Sequence, residues 1–87
     1  MKKTPRRVND IDLHVSIRLR AARREVGLSQ TDAADKLGIT FQQIQKYENG
    51  SNRITAGKMA MLANLYGVSI PWLFDGAPVL KTLARAS

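Results

Sequence analysis

The 87-residue chain has no cysteine and a single histidine, His14. Without thiols, disulfides and thiolate metal sites are excluded, and His14 has no second imidazole with which to share an ion. It is read as a surface residue rather than a ligand. No run approaches the roughly 18 apolar residues of a membrane-spanning helix, and the N-terminus lacks the apolar stretch of a signal peptide. A cytoplasmic location is therefore expected. No segment alternates apolar and polar residues as a half-buried strand would. No glycine-rich phosphate loop and no plausible carboxylate pair is present, which leaves nothing for general acid–base chemistry. The chain is expected not to be an enzyme and to carry no metal or cofactor. Acidic residues are also scarce: seven Asp and Glu against fourteen Lys and Arg give a net charge of +7. A surplus on this scale points to a polyanionic partner.

The positive charge is unevenly placed. Residues 1–24 hold Lys2, Lys3, Arg6, Arg7, Arg18, Arg20, Arg23 and Arg24 against only Asp10 and Asp12. The first residues, with Pro5, read as a flexible arm. Beyond them the chain is long enough for one core but not for two. Asp10 or Asp12 is placed to cap a helix running to about Val26, in which Val15, Leu19, Ala22 and Val26 recur at helical spacing. Ser29 and Asp32 have the spacing of a capping box, and open a second helix that stops at Leu37 before Gly38. Thr40 and Gln43 repeat the device for a third helix, ended by Asn49-Gly50. Thr55 caps a fourth, with Met59, Leu62, Ala63 and Tyr66 on its core face. Ser69 and Pro71 start a short fifth, "SIPWLF", in which Trp72 or Phe74 is expected to plug the core.

The second and third helices are separated by only the Gly38-Ile39 turn, the spacing of a helix-turn-helix. Such close packing asks for a small residue at the crossing, tolerance of positive φ in the turn and apolar anchors under the second helix. Ala34, Gly38, Ile39, Ile44 and Tyr47 supply these in order. At about 100° per residue, Ile44 facing the core carries Tyr47 and Glu48 with it. Gln42, Lys46 and Asn49 then lie opposite, with Gln45 at their edge. A face of long amides and one lysine is an unusual choice for a merely solvated helix. Glutamine offers a donor and an acceptor side by side, the pattern that grips the edge of an adenine.

From "GLSQTDAADKLGIT", "FQQIQKYENG" and "YGVSIPWLF" the chain, over roughly Ile17 to Asp75, resembles the phage-repressor-like (Cro/repressor, xenobiotic-response-element-like) helix-turn-helix family. The resemblance implies an all-α, compact five-helix lambda-repressor-like DNA-binding domain with the helix-turn-helix at helices 2 and 3. It places the third helix in the major groove of double-stranded DNA, with Thr40, Phe41, Gln42, Gln45 and Lys46 as base-contacting residues. Ser29, Gln30, Asn49, Ser51, Asn52 and Arg53 are implied as phosphate contacts. Arg23 and Glu48 are implied to form a partly buried structural ion pair. The domain organisation that follows is a basic arm over residues 1–10, the DNA-binding domain over 11–75 and a tail over 76–87 in dimer contact.

Two features stay open. Gly57, early in the fourth helix, leaves room either for close backbone approach to DNA or for internal packing. Leu13 and Ile17 lie on the outer face of the first helix, and Val79, Leu80 and Leu83 form a small apolar set in the tail. Either the tail folds back, or these surfaces meet a second subunit; a homodimer is favoured. The function expected is a sequence-specific transcriptional regulator, a repressor acting as a dimer on an inverted repeat. No separate sensing domain is recognised in these 87 residues, so regulation is expected from concentration, a protein partner or proteolysis. The alternatives are the antitoxin of a toxin–antitoxin pair and a protein-interaction adaptor using the same fold.

Overall fold

The computed structural model describes residues 10–77. Residues 1–9 of the expected arm, and the tail residues Val79, Leu80 and Leu83, lie outside them, while Asp10 is the first residue of α1. Five helices follow one another: α1 (Asp10–Glu25), α2 (Gln30–Leu37), α3 (Phe41–Asn49), α4 (Ala56–Tyr66) and α5 (Ile70–Phe74), with no strand among the described residues. The structure is the all-helical class expected.

Local chemistry fixes where the helices begin. Ser29 is an N-cap in extended conformation: its hydroxyl accepts from Asp32 N–H at 2.9 Å, and Ser29 N–H donates back to the Asp32 carboxylate at 3.0 Å. These bonds hold the Asp32 carboxyl below its ordinary pKa, the Ser29 N–H first and its side chain second. Thr40, Thr55 and Ser69 cap α3, α4 and α5 by accepting from the N–H three residues on. Each such cap satisfies one of the four backbone donors that a helix start leaves unpaired. α1 differs from expectation. Its first turn already includes Asp10 and Asp12, and these acids act on the helix dipole from inside, matched by Arg23 and Arg24 in the last turn.

Leu19 of α1, Ile44 of α3, Leu62 of α4 and Leu73 of α5 are the largest fully buried side chains. Each is worth about 1.5–3 kcal/mol relative to leaving it exposed. α2 buries only Ala33 and Ala34, and these small side chains let it lie close against both α3 and α4. Gly38 closes α2 at φ +71, a left-handed conformation that a side chain rarely adopts, and turns the chain straight into Thr40.

The structure corrects two further expectations and adds a contact at His14. The plug of α5 is Leu73, at 0% exposure, while Trp72 and Phe74 pack only partly against the core. Trp72 has a different task, since Arg18 donates to its carbonyl through Nε and Nη2 and lays its guanidinium 3.7 Å from the indole centroid. Val26 falls one residue beyond α1 and is 46% exposed, so the apolar stripe of α1 ends at Ala22. His14, read as a surface residue, makes an exposed contact: its Nε2 donates to the Asp75 carbonyl at 2.7 Å and ties the end of α5 to α1. Leu73→Ala is expected to destabilise the domain by about 2–5 kcal/mol. Phe74→Ala should cost less, and urea denaturation of the two variants would show the order.

Candidate nucleic-acid interface

α3 is anchored along one side. Ile44, Tyr47 and Glu48 are buried, and Glu48 meets Arg23 of α1 in a two-pronged bond: Arg23 Nε donates to Oε2 at 2.7 Å and Nη2 to Oε1 at 3.0 Å. The two side chains are only 10% and 5% exposed. Arg23 Nη1 also donates to the Leu28 carbonyl at 2.7 Å, and Gln30 Nε2 donates to Glu48 Oε1 at 3.0 Å. The hydrogen bond to Glu48 is the chief cause that raises the guanidinium pKa, so Arg23 stays ionised throughout the accessible range. One junction therefore joins α1, the α1–α2 turn, α2 and α3.

With that side fixed, the opposite side of α3 faces solvent. Thr40, Phe41, Gln42, Gln45 and Lys46 are all exposed, Phe41 at 40%. Gln42, Gln45 and Lys46 lie on this outer side, while Phe41 stands nearer the Glu48 flank and Thr40 at the N-cap. Thr40 Oγ1 already accepts the Gln43 N–H, leaving its hydroxyl hydrogen as the group it can offer.

The expected phosphate contacts are less uniform. Ser29 gives its N–H to Asp32, so what remains there is the hydroxyl hydrogen. Gln30 has its amide nitrogen on Glu48 and presents the other amide atoms. Asn49 Oδ1 accepts from Ser51 N–H at 2.9 Å, while the N–H groups of Ser51 and Asn52 also converge on the Lys46 carbonyl. The backbone donors of that loop are thus engaged within it, and Ser51 and Asn52 offer side chains instead. Arg53 pairs with Asp12 at 3.1 Å in an exposed position. Gly57 has open space where a Cβ would stand, which removes the internal-packing explanation for it. Gly50 is different: its φ is +79, and a Cβ there would lie 2.5 Å from Leu13 Cδ2, so Leu13 leans on the loop after α3.

Arg20 escaped the sequence-based assignment. It joins Gln30, Gln45, Glu48 and Asn49 in lining a polar cleft of about 300 Å³ where α1, α2 and α3 meet. Its place three residues before Arg23, hence on the same flank of α1, was the available signal. No group of three or more His, Cys, Asp or Glu side chains that could hold a metal occurs among the described residues. No helix among them is long and apolar enough to cross a membrane.

A helix-turn-helix family profile matches residues 19–73. The chain belongs to the Cro/C1-type helix-turn-helix family. Within this helix-turn-helix family its relatives are named as transcriptional regulators rather than catalysts. An uncharacterized HTH-type transcriptional regulator of Sinorhizobium medicae is 44% identical over 77 residues, covering 88% of this chain and 53% of its own. An uncharacterized transcriptional regulator in the ATPase CF(0) region of Rhodospirillum rubrum is 41% identical over 70 residues, covering 80% and 65%. The chain thus spans about half the length of curated relatives such as the first. Among solved structures, the DNA-binding domain of BldD aligns with a TM-score of 0.65 at 29% identity, over 74% of this chain and 93% of that one. A tyrosine-to-alanine mutant of the restriction-modification controller protein C.Esp1396I aligns at 0.69 over 91% and 100%, and at 22% identity it supports the fold alone.

Two outcomes test the anchoring of α3. Glu48→Ala leaves Arg23 desolvated without its partner and is expected to cost about 3–5 kcal/mol, most of it recovered in an Arg23→Met/Glu48→Leu double variant, by urea denaturation. Tyr66, buried beside this pair, has a hydroxyl without a hydrogen-bond partner among the described residues, and burial pushes its pKa from 10.0 up to about 12. The unfolded chain therefore deprotonates first. The Tyr66 contribution is intact below pH 10 and is lost as pH rises towards 12, roughly 2–3 kcal/mol in all. Tyr66→Phe should match or exceed wild-type stability at pH 7 and lack that alkaline loss, read as the difference between the two denaturation curves at each pH.

Proposed function

We propose that this chain is a sequence-specific binder of double-stranded DNA that represses transcription, acting in the cytoplasm as a homodimer on an inverted repeat. The observation that carries the proposal is the outward face of α3. Its exposed polar residues project from a helix whose opposite side is locked to α1 by the Arg23–Glu48 pair. A helix so held enters a major groove as a rigid ridge, and the side chains on it meet base edges in fixed register. Gln42 can pair bidentately with adenine N6 and N7, Lys46 can donate to guanine O6 or N7, and Phe41 can rest on a thymine methyl. Thr40 and Gln45 complete the reading surface.

Phosphate contacts in this proposal come from the Ser29 hydroxyl, the amides of Gln30, Asn49 and Asn52, the Ser51 hydroxyl, and Arg53. The Arg53–Asp12 pair is exposed and contributes little to stability, so opening it towards a phosphate costs little. Gly57 stands in open space at the start of α4 and lets a phosphate approach the backbone closely. The dimer reading draws on Leu13 and Ile17, which stay exposed on α1. Two recognition helices related by a twofold axis would enter successive major grooves about 34 Å apart, and occupancy would exclude polymerase. A protein-interaction adaptor would have no use for the polar face of α3.

Selection of bound sequences from a random duplex pool at near-physiological salt tests the proposal. An inverted repeat held at least about a thousandfold more tightly than scrambled DNA supports it, and a pool that stays random overturns it. On the selected duplex, Gln42→Ala is expected to relax preference by about 1–3 kcal/mol at one position per half-site, whereas Arg53→Ala weakens all sequences alike and flattens the salt slope. Gly57→Ala should stabilise the free domain by about 0.5–1 kcal/mol while weakening its grip on DNA, as measured by melting and titration.

A further inference from the structure

We propose that Arg20 of α1, working with Gln30 and Asn49 around the cleft between α1, α2 and α3, clamps a phosphodiester of the DNA backbone and so brings the first helix into the interface. The proposal rests on the DNA-binding function set out above and adds α1 to the elements that touch DNA.

The cleft is polar and lies beside the C-terminal half of α3, where Gln45 and Asn49 stand one turn apart, away from the helix start that carries Phe41 and Gln42. Glu48 forms part of its wall, and a bare carboxylate there would repel an anion. It is not bare. Glu48 accepts two bonds from Arg23 and one from Gln30, so its charge is compensated within the fold. Arg20 is exposed and, among the described residues, makes no hydrogen bond or ion pair. Its positive charge is the uncompensated one in the cleft. A guanidinium is a planar fork of donors that matches two oxygens of a phosphate, and Gln30 and Asn49, whose amides can also donate, line the same cleft. The occupant this suits is an anion with several acceptor oxygens, on a strand already lying along α3. Arg20 and Arg23, one helical turn apart, thereby divide two tasks: Arg23 orients α3, and Arg20 holds the strand that α3 reads.

The test uses the full chain and the duplex recovered by selection, with base-substituted versions of it. Arg20→Gln is expected to weaken binding by about three- to tenfold, equally on every duplex, and to lower the salt slope by about one. In ethylation interference, one phosphate per half-site whose modification blocks the wild type should cease to matter for this variant. Arg20→Lys should keep the salt slope, and Arg24→Gln, one turn away and outside the cleft, should keep the interference pattern. Should Arg20→Gln melt early, Arg20→Lys carries the interference experiment in its place, with weakened dependence on the same phosphate expected.

An unchanged slope and pattern in Arg20→Gln, while Gln42→Ala still relaxes base preference, would overturn the Arg20 assignment and leave the DNA-binding function standing. A change confined to one base pair would replace the phosphate contact with a base contact and overturn it too. Failure of the wild type to bind any duplex would remove both proposals together.

Discussion

Arg23 on α1 and Glu48 on α3, twenty-five residues apart, meet in a two-pronged bond almost closed to solvent, and the orientation of α3 depends on that meeting. A buried pair of this kind is not a large net source of stability, because removing two charges from water offsets most of their attraction. Its consequence is directional. Two donors of a planar guanidinium on two oxygens of a carboxylate fix the roll of α3 about its own axis as well as its distance from α1. The third and fourth bonds, from Arg23 to the Leu28 carbonyl and from Gln30 to Glu48, extend the same constraint to the start of α2. Gln42, Gln45 and Lys46 face outward because Glu48 cannot.

The apolar core supplies the energy that this junction does not. Four large side chains from four helices converge, while α2 contributes two alanines and allows close approach on both sides. An eight-residue helix is too short to persist alone in water. α2 depends on its cap at Ser29, its left-handed stop at Gly38 and its contact with α3 and α4. Around that core the arginines of α1 separate by position. Arg18 and Arg23 flank the buried stripe on opposite sides, about 140° apart by helical geometry, and turn to α5 and α3 respectively. Arg20 and Arg24 point away from the stripe and remain with solvent.

The division between holding and offering runs through the whole surface. Side chains that look available in the sequence are partly committed in the fold: Ser29 to Asp32, Gln30 to Glu48, Asn49 to Ser51, Arg53 to Asp12. Each retains some hydrogen-bonding capacity, and that remainder is what an incoming nucleic acid would meet. Preorganisation of this kind lowers the ordering cost of binding, since the groups around the contact are already fixed by their neighbours.

Much of this was legible because it is local. A cap acts across three residues, so Ser29, Thr40, Thr55 and Ser69 declared four helix starts. The 3.6-residue period sorted the faces of α3 before any partner was known, and the short turn between the second and third helices described a helix-turn-helix. What the sequence alone could not determine is whatever depends on residues brought together from far apart. Leu73 rather than Trp72 or Phe74 is the fully buried side chain of α5, a choice made by how α5 packs against α1 and α4. His14 reaches the carbonyl of Asp75 sixty-one residues on. Arg18, Arg20 and Arg23 read alike as basic residues of one helix, and only the helices packed beside them give one an indole, one an open cleft and one a carboxylate. Local propensity decides that a helix forms and which side is apolar; the neighbours across the core decide what each side chain on it does.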